Sequence, residues 1–428
     1  MTNAVIVAGV RTPFVKAGGP LGDVSAVELG RWAVRELLER CNLRPDTVDE
    51  LIAGNVACPT DAANIARVVA LRAGIPQDRI AHTVSRNCAS GMESLTEAIT
   101  LIEHGRARCI VAVGVDSMSN IPMFWKKSLA EKVWNLSRAK GVLAKLRAAG
   151  AIRPADLQPI IGIQSGLTDP VSGLMMGETA EKLAREFGIS REEQDNFALE
   201  SHRRAIAAEQ AGRLSDEVMT VYPASEFEPI SQDIGPRAGQ TFEALQKLKP
   251  YFDRKWGTVT VGNACQVTDG GVAMLVTSED FADEMGLQPQ GRVRGYAYAG
   301  CDPARMGLGP VYASGKALTE AGLTMSDMEL VELNEAFAAQ VLACQKCFAE
   351  PSLHCSVSTG RDRLSSIPPD RLNVNGGAIA VGHPVGATGS RLVLTLLGEL
   401  HRRKQKVGLA TLCVGGGQGA AVVVETIS

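Results

Sequence analysis

"CASGMESLTEAITLIEHGRARCIVAVG", residues 88–114, contains a small-residue turn, an amphipathic helix pattern and a β-branched strand pattern in succession. The segment 386–413, "GATGSRLVLTLLGELHRRKQKVGLATLC", can be laid on it with a gap of one residue. In this overlay Cys88 falls on Gly386, and each is followed by a small-polar-glycine step that opens the helix. The sequence therefore predicts two similar halves, of which the second has the turn without the thiol.

A second internal match supports the duplication. Residues 37–55, "LLERCNLRPDTVDELIAGN", resemble residues 317–335, "ALTEAGLTMSDMELVELNE", and both predict a helix, a polar turn, a short acidic segment and an apolar strand. Short β-branched runs alternate with helical stretches along much of the chain, which predicts an α/β fold with largely buried sheets. The clearest such runs are 4–10, 109–115, 273–278 and 407–414.

Composition limits the class of protein. A chain of 428 residues with 45% hydrophobic and 21% charged residues is typical of a soluble globular protein of two or three domains. The net charge of -3 gives no general attraction to nucleic acid, and no apolar run approaches the roughly 20 residues of a membrane span. The opening "MTNAVIVAGVRTPF" is interpreted as a first strand rather than a signal peptide, and the scattered cysteines favour a reducing compartment, which we expect to be the cytoplasm.

Residues 120–252 do not join the repeat and are predicted to form an inserted loop domain. It would interrupt an N-terminal half made of 1–119 and 253–288 and precede a C-terminal half at 289–428. Within it, residues 126–153 carry eight Lys/Arg and one Glu, a net charge of +7, with apolar residues interleaved at helical spacing. Three interpretations stay open: a solvated hairpin covering its own domain, a contact with an acidic membrane surface or partner, and a channel for an anionic substrate.

One group of residues has some features of a metal site. Cys344 and Cys347 precede His354 and Cys355, and zinc requires four such thiolate or imidazole ligands. The alternative is simple burial of the first two cysteines on one helix, because they follow the helical pattern "NEAFAAQVLA".

Four motifs combine a reactive side chain with glycines, which let the backbone approach a ligand. They are "NCASG" with Cys88, "ELNEAF" with Asn334, "NGGAIAVGHPVGATG" with His383 and "LCVGGGQG" with Cys413. A helix start favours the thiolate of Cys88, although this motif taken alone fits a buried thiol at a tight turn better. His383 is a candidate base, oxyanion donor or metal ligand, with a structural turn residue as the alternative. Cys413, expected at a strand end outside the core, could transfer a proton beside backbone N–H groups that stabilise an oxyanion.

Together, these four motifs resemble the thiolase family over essentially the whole chain. The resemblance implies two βαβαβαββ halves packed as five αβαβα layers, with a loop domain in the first half. It implies that Cys88 attacks an acyl-CoA and forms a thioester while His383 takes its proton. Cys413 would then remove or return the α-proton of acetyl-CoA, so the predicted reaction is acyl-CoA plus acetyl-CoA giving 3-ketoacyl-CoA plus CoA, with ping-pong kinetics. Two oxyanion sites are implied as well: His383 with a water held by Asn334, and the N–H groups of Cys88 and Gly415.

The resemblance also implies coenzyme A contacts. Those residues are Leu167 and Met176 along the pantetheine, Arg237 and Phe252 near the adenine end, Met306 and Phe337 near the thioester, and Cys265 in a segment facing the site. Met175 and Cys265 depart from the family pattern, which has histidine and serine there. No metal or other cofactor is predicted, because the CoA thioesters are the substrates.

Several properties stay open from sequence. The insertions at 126–153 and 351–370 resemble those of longer members active in fatty-acid β-oxidation, but such members often carry histidine at the position of Asn334, so acyl chain length is undetermined. A homodimer or homotetramer is implied by resemblance only. A decarboxylating ketoacyl synthase and a lipid carrier without catalysis are the alternative functions; the first normally lacks a second cysteine like Cys413, and the second should lack one of the four motifs.

Overall fold

The computed structural model describes residues 3–226, 228–351 and 359–427. The chain forms two compact units, one made of Met1–Asn120 with Asp169–Ser428, and a smaller one at Ile121–Thr168. The small unit is shorter than the predicted loop domain at 120–252, because residues 169–252 cluster with the large unit. The division of the chain into three domains stays a prediction.

Two sheets are present in the described residues. Ten strands form one mixed sheet in the order β10-β11-β12-β9-β1-β8-β5-β3-β4, with β2 beside β8, and β6 pairs with β7 in the small unit. The strands are β1 (Ala4–Arg11), β2 (Val15–Lys16), β3 (Glu50–Gly54), β4 (Ile80–Val84), β5 (Cys109–Asp116), β6 (Met123–Trp125), β7 (Pro159–Ile161), β8 (Thr268–Ser278), β9 (Gly291–Gly300), β10 (Leu330–Leu333), β11 (Val407–Val414) and β12 (Gln418–Thr426).

Helices connect the strands and cover the sheet. The α-helices are α1 (Ala26–Arg40), α2 (Ile65–Ala73), α3 (Ser90–Glu103), α4 (Lys127–Arg138), α5 (Val142–Gly150), α6 (Gly162–Gly166), α7 (Met176–Glu186), α8 (Arg191–Gln210), α9 (Phe242–Gln246), α10 (Glu279–Met285), α11 (Gly309–Ala321), α12 (Ala338–Ala349), α13 (Ala378–Val381) and α14 (Thr388–Arg403). Short 3-10 turns occur at Pro45–Thr47, Met118–Asn120, Pro154–Leu157, Pro303–Leu308, Met325–Asp327 and Arg361–Arg363.

The large sheet consists of two halves with matching strand order. Strands β1-β8-β5-β3-β4 form one half and β9-β12-β11-β10 the other, and the two are joined through a single pair, Ile6 with Gly291. The predicted equivalences are confirmed, because α1-turn-β3 repeats as α11-turn-β10 and α3-β5 repeats as α14-β11. The overlay of 88–114 on 386–413 therefore reflects a real duplication.

Three buried apolar clusters define the layers of the large unit. One cluster joins α1 and α2 to one face of the first half-sheet, and another joins α11 and α12 to one face of the second. The third holds α3 and α14 between the remaining faces of both half-sheets. This arrangement is the expected αβαβα sandwich, and its two central helices start at the two equivalent turns.

Glycine lets the two central helices approach closely. A Cβ on Gly91 would lie 2.5 Å from Ser390 Oγ and 2.6 Å from the carbonyl oxygen of Gly386, and a Cβ on Gly389 would lie 2.6 Å from the amide nitrogen of Met92. The small-polar-glycine step is thus a packing requirement shared by both halves. It positions the Cys88 turn and the Gly386 turn at the helix starts.

The small unit consists of the β6-β7 ribbon and helices α4, α5 and α6. Asp156 organises it by accepting hydrogen bonds from Lys132 Nζ at 2.6 Å, Ser128 Oγ at 3.0 Å and the amide of Arg153 at 2.8 Å. These bonds lower the pKa of Asp156 to about 2, and the bond from Lys132 has the largest effect. Among the described residues of both units, no helix combines the length and apolar character that a membrane crossing requires.

Candidate active site

Cys88 lies in the turn between β4 and α3, two residues before the helix begins at Ser90. Asn87 adopts φ = 44°, a left-handed conformation that asparagine tolerates better than most residues. The Ser90 hydroxyl fixes the turn, because it donates to the carbonyl oxygen of Asn87 at 2.7 Å and accepts from the amide of Arg86 at 2.8 Å. The turn that carries Cys88 is therefore held by local hydrogen bonds.

Two backbone N–H groups point at the Cys88 sulfur, those of Gly415 and of Cys88 itself. Burial nevertheless raises the pKa of the Cys88 thiol above its ordinary value, and these two hydrogen bonds oppose the rise only in part. The backbone N–H groups favour the thiolate, as expected, but desolvation of the sulfur is the larger effect. Cys88 is a neutral thiol at neutral pH and needs a base.

Cys413 lies one residue before the end of β11 at Val414, and three glycines follow the strand. Gly416 and Gly417 have φ values of 88° and 80°, and Asn87 Nδ2 donates to the carbonyl oxygen of Gly415 at 2.8 Å, which joins this turn to that of Cys88. The side chain is only 1% exposed, so the expectation of a sulfur outside the core is wrong. Burial raises the pKa of Cys413 well above its usual range, and the nearby sulfurs of Cys88, Cys344 and Cys265 raise it further.

His383 occupies a buried turn after α13. Its Nδ1 lies 2.6 Å from Thr388 Oγ1, and the Thr388 hydroxyl donates its one proton to the carbonyl oxygen of Pro384 at 2.9 Å. Thr388 must therefore accept from Nδ1–H, which leaves Nε2 as the unprotonated nitrogen. Burial, and secondarily the charge of Arg391, lowers the pKa of His383 to about 4, so the ring is neutral at neutral pH.

One extended segment, residues 264–268, joins the other motifs to this turn. The amide of Cys265 donates to the carbonyl oxygen of Ala336 at 3.0 Å, and the amide of His383 donates to that of Gln266 at 3.2 Å. Burial, then the charge of Cys88, raises the pKa of Cys265 to about 12. The segment therefore runs between the "NEAF" motif and His383, with Cys265 facing the same group of thiols.

Asn334 follows β10 and is tied to β11 by its amide, which donates to the carbonyl oxygen of Thr411 at 3.0 Å. Its side chain is 1% exposed, yet neither Oδ1 nor Nδ2 has a hydrogen-bond partner among the described residues. An unpaired buried amide is costly, and such groups in native proteins usually meet a water or a ligand. The side-chain amide of Asn334 is thus free to form a hydrogen bond with a polar atom of a substrate or with a water molecule.

The neighbouring Glu335 was not singled out from the sequence, although it lies within the "ELNEAF" motif. Its carboxylate accepts hydrogen bonds from Ser201 Oγ at 2.6 Å, Asn373 Nδ2 at 2.9 Å and the amide of Ile379 at 3.2 Å. These bonds connect β10 to α8 and to the start of α13. Glu335 therefore fixes the loop that carries Asn334 relative to the segment before His383.

Four predicted coenzyme A contacts belong to, or pack against, the apolar cluster that contains Cys413. Met176 Sδ lies 3.4 Å from where a Cβ on Gly415 would be, and the rings of Phe252 and Phe337 meet edge to face with centroids 6.1 Å apart. Met306 is buried in the same apolar cluster as Phe337 and Cys413.

Phe252 also borders a cavity of about 720 Å³. The cavity walls carry cationic side chains together with carboxylates. Its other lining residues are Leu174, Glu178, Glu181, Lys182, Arg185, Glu186, Asp253, Arg254 and Lys255.

Two further predicted contacts, Arg237 and Leu167, lie in other segments of the chain. Arg237 is exposed, its amide donates to His202 Nδ1 at 3.3 Å, and the nearby Gly235 packs against the carbonyl oxygen of Ala380. Leu167 belongs to the small unit, where its amide donates to the carbonyl oxygen of Ile163 at 3.0 Å. Both assignments stay predictions.

Of the four residues considered as zinc ligands, the structure describes two, Cys344 and Cys347. Cys344 and Cys347 are buried on α12, as the simpler interpretation predicted, and Cys344 Sγ donates to the carbonyl oxygen of Gly307 at 3.1 Å. Cys347 is disulfide-bonded, which removes its thiolate as a ligand. His354 and Cys355 lie outside the described residues, and within the described ranges no three His, Cys, Asp or Glu side chains converge on a possible metal site.

Family models match nearly the whole chain. The model for the thiolase N-terminal domain matches residues 4–280, and that for the thiolase C-terminal domain matches residues 287–426. The chain belongs to the thiolase family. Among its relatives is the 3-ketoacyl-CoA thiolase of Yersinia enterocolitica, 40% identical over 98% of this chain and 96% of the relative. The protein of the same name from Klebsiella pneumoniae is 39% identical over the same shares.

Solved thiolase structures have the same fold. The Bacillus anthracis acetyl-CoA acetyltransferase matches with a TM-score of 0.87 and 38% identity, over 100% of this chain and 99% of that one. Human mitochondrial 3-ketoacyl-CoA thiolase in complex with CoA matches with a TM-score of 0.85 and 38% identity, over 100% and 98%. The predicted fold, family and acyltransferase class are confirmed, and the two alternative functions find no support.

Proposed function

We propose that this thiolase cleaves 3-ketoacyl-CoA with CoA to give acetyl-CoA and a shortened acyl-CoA, and runs the reverse condensation. The observations that carry the proposal are two neighbouring neutral thiols, the partly buried Cys88 and the buried Cys413, and the buried neutral imidazole of His383. Neutral groups in one dry site can pass protons between them without first separating charge. That property is what a reaction with two successive proton transfers needs.

In the first half of thiolysis, the Cys88 sulfur attacks the 3-keto carbon and its proton passes to Nε2 of His383. The tetrahedral intermediate breaks the bond between the keto carbon and the α-carbon, and the electron pair leaves on acetyl-CoA as an enolate. The Cys413 thiol gives its proton to that α-carbon. Acetyl-CoA departs, and the acyl group stays on Cys88 as a thioester.

In the second half, the Cys413 thiolate takes the proton of the incoming CoA thiol. The CoA sulfur attacks the acyl thioester, and the Cys88 sulfur leaves and recovers its proton from His383. Two sets of donors stabilise the oxyanions. The N–H groups of Cys88 and Gly415 serve the oxygen on the Cys88 adduct, and His383 with a water on the unpaired Asn334 amide serves the enolate oxygen.

We place the pantetheine arm against Met176, Cys265, Phe252 and Phe337, with Met306 behind the reacting thioester. Leu167 and Arg237 would be further CoA contacts. We also retain as proposals a homodimer or homotetramer, which light scattering tests, and the cytoplasm as location. No metal or other cofactor is required by this scheme, because thioesters are already electrophilic.

The test is a thiolysis assay over 3-ketoacyl-CoAs of increasing chain length, with condensation run in parallel. Cys88→Ala should lose activity by several orders of magnitude, whereas Cys58→Ala, which removes an exposed thiol outside the four motifs, should keep it. Full activity of Cys88→Ala on every chain length would refute the proposal. The chain-length profile of the unmodified enzyme identifies its substrates.

A further inference from the structure

The small unit exposes an unusual amount of apolar surface. Eleven of the twenty large apolar side chains exposed in the described residues belong to its 48 residues. Helix α4 buries only Leu129, and α5 buries no residue. A hairpin that merely covered its own domain would bury one apolar face of each helix, so that interpretation of the sequence does not fit.

The exposed apolar side chains of α5 form a stripe. Val142, Leu143 and Leu146, which are 77%, 66% and 64% exposed, share one face at helical spacing. Lys145 and Arg147 flank that face on its two sides. This is the arrangement of a helix lying in a membrane interface, where apolar groups enter the lipid and long basic side chains reach back to the head groups.

Tryptophan and further apolar residues continue this surface. Trp134 on α4 is 58% exposed, with the guanidinium carbon of Arg138 4.6 Å from its ring centroid. In the ribbon, Phe124 pairs with Ile160 and Trp125 with Pro159, and every residue of both strands is exposed. Tryptophan is, with tyrosine, a side chain enriched at the boundary between lipid and water.

The charge of the unit defines the partner. Eight Lys/Arg and two Asp/Glu give it a net charge of +6 within a chain of net charge -3. Both acids are already engaged, Asp156 by Lys132 and Glu131 by Lys127. All residues of the unit are described, and within it the other six cations form no ion pair; they are Lys126, Arg138, Lys140, Lys145, Arg147 and Arg153.

We propose that the small unit, Ile121–Thr168, is a docking surface for an anionic lipid bilayer, reached through Trp134 and the α5 stripe with its flanking cations. A protein partner is the poorer fit, because protein interfaces are depleted in lysine and three of the unpaired cations are lysines. The chain would lie on the surface of the bilayer without crossing it. This inference goes beyond the proposed function and does not depend on the catalytic roles.

The experiment is co-sedimentation of the full chain with vesicles at low ionic strength. One set contains phosphatidylcholine and phosphatidylserine in equal parts, and the other contains phosphatidylcholine alone. The protein should pellet with the first set and be released as salt is added, because screening weakens attraction between surface charges. Each basic residue near an anionic surface changes partitioning about fivefold.

Two variants and two matched controls test the surface itself. The triple variant Lys140→Gln, Lys145→Gln and Arg147→Gln should lower partitioning at least about tenfold, and Trp134→Ser should also lower it. The controls change the same residue types in the large unit. One is the triple variant Lys16→Gln, Arg44→Gln and Lys316→Gln. The other is Trp256→Ser, since Trp256 is 74% exposed and lies beside Lys255. Both controls should bind like the unmodified chain, and all four variants should keep thiolysis activity.

Three results would overturn the proposal. The first is no binding to anionic vesicles at low salt. The second is equal binding by the triple variant and its control. The third is self-association in the absence of lipid, seen by sedimentation velocity and lost in Trp134→Ser, which would assign the surface to protein contact instead.

Discussion

His383 is oriented by one hydroxyl group. Thr388 donates to Pro384 and accepts from Nδ1–H, so the free Nε2 is the only ring nitrogen able to take the proton of Cys88. Sequence inspection found His383 from its motif but not Thr388, because a threonine in a helix start is common and its partner is set by the turn between them. Thr388 acts through His383 and is therefore a positioning residue.

Thr388→Val should lower kcat by about 10-fold to 100-fold, less than the factor of about 10²–10⁴ expected for loss of a general base. KM should change little, since Thr388 contacts no substrate in the proposed scheme. Thr388→Ser keeps the hydroxyl and should restore most of kcat. If valine and serine variants have equal kcat, the hydroxyl does not orient the imidazole.

Two buried histidines make stability depend on pH. Burial lowers the pKa of both His202 and His383 to about 4, whereas an unfolded histidine titrates near 6.5. Between pH 6.5 and 4 the unfolded chain therefore binds more protons than the folded chain. The stability from these neutral rings is fully present above pH 6.5 and is lost as the pH falls toward 4.

His202→Gln should flatten the dependence of the unfolding free energy on pH in this window by about 1.4 kcal/mol per pH unit. Urea unfolding at several pH values measures it. His104→Gln is the control, because His104 is exposed, and it should leave the slope unchanged. A slope that His202→Gln does not alter would contradict the assignment.

At the scale of elements, the start of α3 is shaped more by its contact with α14 than by the thiol it presents. Gly91 is pressed against Gly386 and Ser390 of the other half. The repeat predicts this equivalence from sequence, since the same glycine step recurs at Gly389. The helix-start argument for a thiolate leaves out the desolvation of the sulfur, which has the larger effect on its pKa.

Gly91→Ala should destabilise the fold by about 1–3 kcal/mol, because its Cβ would meet backbone and side-chain atoms that cannot easily move. Gly398→Ala on α14 is the matched control, since no heavy atom lies within 4 Å of its added Cβ, and it should be neutral or stabilising by up to about 1 kcal/mol. Urea unfolding compares them. Equal effects of both changes would show that close helix packing is not required.

Over the whole molecule, the sequence predicted the features that are repeated along the chain and the residues that belong to a motif. The duplicated halves, the α/β layers and the four motif residues Cys88, Asn334, His383 and Cys413 were all visible in short local patterns. The links between motifs were not, because they join residues far apart in the chain.

The amide of Gly386 donating to Asp116 across the two halves is one such link, and the segment 264–268 crossing from Ala336 to His383 is another. Arg237 was assigned by resemblance alone, and what the structure adds is that its backbone amide donates to His202 Nδ1.

The central claim is that Cys88 carries the acyl group and Cys413 handles the α-proton. Incubation with acetyl-CoA in deuterium oxide, followed by mass spectrometry of both protein and substrate, measures the two events in one sample. The unmodified enzyme should show an acetyl group on Cys88 and deuterium in acetyl-CoA. Cys413→Ala should keep the acetyl group and lose the exchange, and Cys88→Ala should lose the acetyl group. Undiminished deuterium exchange in Cys413→Ala, or full acetylation of Cys88→Ala, would contradict the account.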